Sequence, residues 1–409
     1  MTKGNGRKLL ATTAIALALA VGGAKGAKAQ AIDYTSLQEL FGQPVTTSAN
    51  GSPQKESEVP LNMDIITAED IRATGARNIP EVLRTVPGMT VRQHTFGQYE
   101  VSMRGYNQPN AERLLVLLNG RQVYLDFFGS VVWENIPVEM PEIKQIEVVK
   151  GPNTALFGFN AVSGVVNIIT YNPLYDDVGE LQLRAGTEDL TEASVVNTFK
   201  FNDRFGARIS AGGYDAGHFD DINSVFGGVQ QENDRRSALI DVWAQVTDNV
   251  QAHFEASRND YNRNEEIVTR TAAATGYDTE SIRGRVLADT DYGLWEADLY
   301  HNNTRGDLTI LLDGDLGLFI PFEVDNRITV AKLNNIFKVG PDHTFRLGFE
   351  YREGTNIFSG LGVAAGQLDQ GSDLGYEIFG ISGLWDYSIS NKWSSSIAVR
   401  YDEFDLDKK

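Results

Sequence analysis

The chain has 409 residues, a formal net charge of −19, 40 glycines and no cysteine. The lack of cysteine excludes a disulfide framework and thiolate metal sites. An excess of 55 acidic over 36 basic residues argues against a nucleic-acid binder.

Residues 1–29 read as a secretory signal. Lys3, Arg7 and Lys8 form the charged start, Leu9–Val21 the apolar run, and Ala27-Lys28-Ala29 a small-x-small cleavage site. A membrane anchor needs ~20 apolar residues, and this run has 13. No other stretch approaches a transmembrane helix. An exported chain rich in glycine and aromatics is then periplasmic, secreted or a β-barrel. Residues 30–60 are polar and turn-rich, which predicts a flexible segment. Within it Gln43-Pro-Val-Thr-Thr-Ser-Ala49 is a β-prone island.

Residues 61–173 read as a small mixed α/β domain. Thr67-Ala-Glu-Asp70 is a capping box for a short helix that stops at Gly75, and Asn78 caps a second helix over Ile79–Thr85. Strands follow at Met89–Arg92, Glu100–Arg104 and Arg113–Leu118; Asn119-Gly120 is a type I′ hairpin signal returning through Arg121–Tyr124. Two loops, His94–Tyr99 and Leu125–Ser130, are expected to expose aromatics, with cover of the small core by Phe127 and Phe128 as the alternative. The last part of the domain, Val148–Thr170, is a strand broken by Gly151-Pro152 and resumed at Val165. Its glycines mark positive φ or a close backbone approach.

Beyond Gly179 the pattern becomes alternating strands, as in Phe345, Leu347, Phe349 and Tyr351 against Arg346, Gly348, Glu350 and Arg352. Eleven strands are predicted, at 180–186, 191–200, 205–214, 235–246, 250–258, 281–290, 293–302, 327–339, 343–353, 376–388 and 392–402. Tight turns alternate with long loops at 215–234, 259–280, 303–326 and 354–375. A soluble sandwich also alternates, but the short/long asymmetry is that of a transmembrane barrel. The fold class expected is therefore mostly β: a transmembrane antiparallel β-barrel over 174–409, preceded by the mixed α/β domain.

The wording of Val148–Thr170 resembles the end of the plug domain of TonB-dependent outer-membrane receptors. The matching residues are Glu147, Lys150-Gly151-Pro152, Phe157-Gly158, Ala161, Ser163-Gly164 and Val165-Val-Asn-Ile-Ile-Thr170. Lys150 stands where the family has Arg, and Ser163 where it has Gly; a lysine lacks the planar bidentate fork. ITAEDIRATGARNIPEVLRTVPGMTV, SMRGYN and LLVLLNGRQVY are similar to the plug family too, so the resemblance spans the domain in order.

The resemblance implies a barrel of ~22 strands, of which about half is present. The chain stops at Asp405-Leu-Asp-Lys-Lys409 without the family's terminal aromatic, and the expectation is a truncated chain. It implies a plug apex that touches ligand through His94, Phe96, Gln98, Tyr99, Asp126, Phe127 and Phe128. It implies a TonB-binding box, with Val45, Thr46, Thr47, Ser48 and Ala49 as the candidate against plain linker. Such a box works by strand addition, which constrains sequence poorly. Arg104, Glu147 and Lys150 are candidates for holding plug to barrel; a plain surface arginine is the alternative for Arg104. Implied partners are TonB, outer-membrane lipid and lipopolysaccharide, and a small-molecule ligand, with the protein a monomer in the outer membrane. The implied activity is active uptake of a scarce solute such as a siderophore, cobalamin or oligosaccharide, with a passive pore or adhesion protein as the alternative. The histidines at 94, 218, 253, 301 and 343 have no metal-ligand spacing, no nucleophile or phosphate-loop motif is present, and neither enzyme activity nor a cofactor is expected. Asp220-Asp221 and Asp313-Gly-Asp315 are acidic loop pieces that match no EF-hand loop; solvated loops are expected, with Ca²⁺ binding as the alternative.

Overall fold

The computed structural model describes residues 34–41, 43–46, 48, 54–59, 61–105, 113–126, 129–158, 160–217, 233–266, 272–313, 318–360, 373–390 and 393–408. The signal segment, Thr47, Ala49, Phe127, Phe128 and the two acidic loop pieces lie wholly or largely outside these residues.

The segment expected to be flexible is partly built. Helix α1 (Tyr34–Phe41) is followed by β1 (Val45–Thr46) and β2 (Gln54–Lys55), which pair antiparallel. Leu37, Leu40 and Phe41 supply helical spacing that composition alone hides. Gln38 Nε2 also donates to Gln145 Oε1 at 3.0 Å, so the segment is tied to the domain behind it.

That domain contains β3 (Met63–Thr67), α2 (Ala68–Thr74), α3 (Ile79–Leu83), β4 (Met89–Gln93), β5 (Tyr99–Met103), β6 (Leu114–Leu118), β7 (Arg121–Gln122), β8 (Ile143–Lys150), α4 (Thr154–Phe157) and β9 (Gly164–Thr170). Thr67 Oγ1 accepts from the Asp70 amide at 3.2 Å while Asp70 Oδ2 accepts from the Thr67 amide at 2.9 Å, the reciprocal cap expected. Gly75 ends α2 at φ 66°, and Asn78 caps α3 through the Glu81 amide. The central sheet runs β3-β8-β9-β6-β7, with β6 and β9 parallel. Both β6 (LLVLL) and β9 (GVVNIIT) are buried along their whole length, because apolar side chains pack on each face of the sheet. Asn119 at φ 51° and Gly120 at φ 81° make the predicted tight hairpin. Helix α4 was not legible beforehand; its four residues carry too little periodicity.

The remaining strands are β10 (Gly179–Ala185), β11 (Thr191–Asn202), β12 (Phe205–Ala216), β13 (Asn233–Thr247), β14 (Val250–Glu266), β15 (Ala272–Thr290), β16 (Gly293–Asp313), β17 (Leu318–Val339), β18 (His343–Gly360), β19 (Asp373–Ser390) and β20 (Trp393–Lys408). They form one antiparallel sheet in chain order. The tight-turn ends fall where expected, but two long loops do not exist as such. The stretches 259–280 and 303–326 are mostly extended hairpin, since β14 runs to Glu266 and β17 begins at Leu318. Beyond the apolar belt nothing demands an apolar face, so alternation fades while the backbone ladder continues.

The sheet's burial is inverted relative to a soluble domain. Along β14, Gln251, His253, Glu255, Ser257 and Asn259 are buried while Phe254 is exposed. Leu181, Leu183, Phe201, Ile282, Leu347, Phe349 and Val399 are likewise exposed. A polar concave face and an apolar convex face suit a wall whose outer solvent is lipid. Among the described residues no helix is long and apolar enough to cross a membrane.

Candidate functional site

The α/β domain sits against the concave face of the sheet, and the contact is built from buried ions. Arg208 on β12 bonds Glu142 (3.1 Å) and Asp241 (3.0 Å), and donates to the Tyr171 carbonyl. Arg235 on β13 meets Glu139 (2.9 Å) and the carbonyls of Ile136 and Val138, and Ser237 donates to Glu139. Gly212 makes room for this carboxylate, for a Cβ there would overlap Glu139. From the domain side, Arg121 reaches Glu255 (3.0 Å), Ser281 (2.5 Å) and Asn302 (2.8 Å). Asn135 bonds Asn259 and Thr279, each at 2.7 Å. Arg283, paired with Asp298, and Arg285 both donate to the Asn119 carbonyl, at 2.9 and 2.8 Å. Charges this deep are tolerated only when paired and hydrogen-bonded.

None of these anchors was singled out from the sequence. The available signal was the alternation itself: Arg208, Arg235, Glu255 and Arg283 are charges at inward positions of alternating strands. Of the three residues expected to anchor, none makes a contact of this kind with the wall among the described residues. Arg104 is exposed in a turn at φ 53°, and no ion pair joins it to a carboxylate among the described residues. Lys150 pairs with Asp64 inside its own domain. Glu147 is fully buried and faces the N-terminal segment instead.

The segment is clasped there. Ser48 Oγ donates to Glu147, Gln145 Nε2 donates to the Val45 carbonyl (3.0 Å) and to Glu147 (2.8 Å), and Asn167 Nδ2 donates to Ser48 Oγ (3.1 Å). Val45 and Thr46 are completely buried. Burial pushes the Glu147 carboxyl above the ordinary carboxylate range, against the hydrogen bonds from Ser48, Thr46, Gln145 and Asn167.

The expected outward display of aromatics fails for two residues of the first loop. Phe96 is buried among Leu125, Val132, Tyr214, Tyr261 and Tyr277, and Tyr99 belongs to the domain core. The loop is instead fastened to the wall: Tyr261 donates to the Gly97 carbonyl (2.8 Å), Thr95 to that of Asn264 (2.7 Å), and Gln98 to that of Glu266 (2.8 Å). Arg77 lies 4.9 Å from the ring centres of both Phe96 and Tyr214 while bonding Glu134 at 2.5 Å. Glycine at 97 is what permits the approach, since a Cβ would overlap the Tyr261 hydroxyl. His94 remains exposed between Glu100 (3.2 Å) and Glu266 (3.7 Å). Asp126 of the second loop accepts from the Tyr376 hydroxyl.

Near the tight-turn end, a cavity of about 280 Å³ separates the domain from the wall. Trp243, His253, Arg285, Glu296, Lys332 and Arg346 line it on the wall side, Ser48, Asn119, Gly120 and Asn167 on the other. Among the described residues no group of His, Asp and Glu is arranged to hold a metal ion.

Residues 55–165 match the family model described as the TonB-dependent receptor plug domain. The chain is 31% identical over 173 residues to the vitamin B12 transporter BtuB of Vibrio vulnificus, and 34% over 145 residues to that of Photobacterium profundum. These matches span 42% and 35% of this chain but only 28% and 23% of the relatives' own lengths. The fold is similar to that of the alcaligin outer-membrane receptor FauA of Bordetella pertussis, with a TM-score of 0.67 at 14% identity over 90% of this chain and 59% of that one. It is similar also to the ferripyoverdine receptor of Pseudomonas aeruginosa, with a TM-score of 0.68 at 12% identity over 97% and 60% of the two chains. The chain thus carries a segment similar in sequence to the TonB-dependent receptor plug, seated against eleven strands of an antiparallel wall whose fold is similar to that of outer-membrane receptors.

Proposed function

We propose that the protein imports a scarce solute across the outer membrane, with TonB supplying the work. The observation that carries this reading is a folded plug held in the lumen by buried ion pairs, with a short strand from the N-terminal side docked beneath it. A plug so fastened blocks passive flow, so passage needs an input of work. The outer membrane has no ATP, and a partner that pairs with an extended segment is a direct way to deliver it. Val45–Ala49 is the proposed partner-binding strand. Residues 1–29 are the proposed export signal, 30–60 the periplasmic segment, 61–173 the plug and 174–409 the barrel portion. The second loop around Asp126 and the exposed His94 are the proposed ligand-facing part of the apex; lipid and lipopolysaccharide surround a monomer. The vitamin B12 and siderophore receptors among its relatives make corrinoids and ferric chelates the first solutes to try, ahead of oligosaccharides.

The test is accumulation of labelled cobalamin, ferric siderophores and oligosaccharides in cells carrying the receptor. One solute is expected to accumulate in energised cells, and to stop doing so after proton-gradient collapse or deletion of 45–49. Uptake that survives both treatments would make the protein a passive pore.

A further inference from the structure

Asn167 occupies a junction that nothing in the import reading by itself requires. It lies on β9, 8% exposed, and both ends of its amide are committed. Nδ2 donates to Ser48 Oγ (3.1 Å) and to Glu147 Oε2 (3.4 Å), while Oδ1 accepts from the Gly120 amide (3.2 Å). Gly120 is half of the hairpin whose other residue, Asn119, offers its carbonyl to Arg283 and Arg285 of the wall. A second tie fixes the same hairpin to the same strand, because the Thr170 amide donates to Asn119 Oδ1 at 3.0 Å. Ser48, Asn167, Gly120, Asn119 and Arg285 all line the one cavity between plug and wall.

We propose that Asn167 is a positioning residue that couples the N-terminal segment to the plug's grip on the barrel. With Ser48 in place, the Asn167 amide is held in the one orientation that presents Oδ1 to Gly120, and the hairpin is held where its carbonyl meets both arginines. Withdrawal of Ser48 leaves Asn167 Nδ2 only the longer bond to Glu147 (3.4 Å), which weakens the hold of Oδ1 on the Gly120 amide and loosens the hairpin's seat against Arg283 and Arg285. The cavity then opens at its tight-turn end. Work applied at residue 48 thus reaches the wall without unfolding of β8 or β9, whose fully buried ladders are the more stable elements. The direction of the effect rests on the import reading; the coupling itself does not.

The test is hydrogen exchange across 117–123 in the full chain in detergent, comparing wild type, Ser48→Ala and Asn167→Ala. Coupling predicts that Ser48→Ala speeds exchange at Asn119–Gln122 on the order of fivefold, the effect of one hydrogen bond. Asn167→Ala is expected to do the same, and adding Ser48→Ala to it to change nothing more. Exchange over Val148 and Val166 is expected to stay at the wild-type level in Ser48→Ala, showing that the plug remains folded. A hairpin indifferent to Ser48→Ala, or additive effects of the two substitutions, would overturn the proposal. Failure of TonB to bind 45–49 would instead remove the import reading and leave the measured coupling standing.

Discussion

Arg121 and Glu255 are each 1% exposed, and their ion pair joins plug to wall across 3.0 Å. Removing one partner strands the other charge out of water, which costs ~3–5 kcal/mol. Arg121→Leu is therefore expected to lower the thermal stability of plug docking by that amount, measured as protease sensitivity of the plug against temperature. The double substitution Arg121→Leu/Glu255→Leu is expected to recover most of the loss, because no unpaired charge remains. Glu147 makes a different prediction. Its carboxyl titrates above the ordinary range because burial disfavours the charge. A group whose folded pKa is raised contributes stability that is complete below its unfolded pKa and is lost as pH rises through the folded value. Protection of residues 45–48 from exchange is accordingly expected to weaken as pH rises from the ordinary carboxylate range through that elevated value. Glu147→Gln is expected to flatten this dependence, and an unchanged profile in that variant would assign the titration elsewhere.

Single elements were legible where one local rule decides them. Thr67 and Asp70 cap α2 as read, and Thr67→Ala is expected to cost ~1 kcal/mol in a thermal melt of the plug. Asn119-Gly120 turns as read because two successive positive φ values suit that pair. Gly164 was expected to mark a close approach, and a Cβ there would lie 2.5 Å from the Met103 sulfur and 2.6 Å from the Val149 carbonyl. Gly164→Ala is thus expected to destabilise the plug by ~1–3 kcal/mol. Elements decided by their neighbours were not legible. Phe96 sits in a glycine-bearing loop that looks exposed in one dimension, yet the wall folds Tyr214, Tyr261 and Tyr277 over it, while Tyr99 opens β5 and packs into the domain core. The extra length of β14 to β17 escaped because backbone pairing leaves no trace in polar residues. The anchors escaped for a related reason: an inward arginine names its need for a partner but not which of several acidic residues 33 to 134 positions away will supply it.

At the scale of the molecule, the chain is a polar-lined wall, apolar outside, gripping a plug that in turn grips the N-terminal segment. The inverted burial implies a lipid partner for the convex face, so membranes washed with alkaline carbonate are expected to retain the protein until detergent is added. What unites the layers is the claim that an outside machine takes hold at residues 45–49. The chain contains no cysteine, so single cysteines can be placed at each of these positions without background. Disulfide cross-linking in living cells to TonB carrying its own single cysteine is the most direct measurement. Cross-links concentrated at 45–49, strongest when transported solute is present, are the expected result. Cross-links absent there, in cells where the receptor is folded in the outer membrane, would contradict the account.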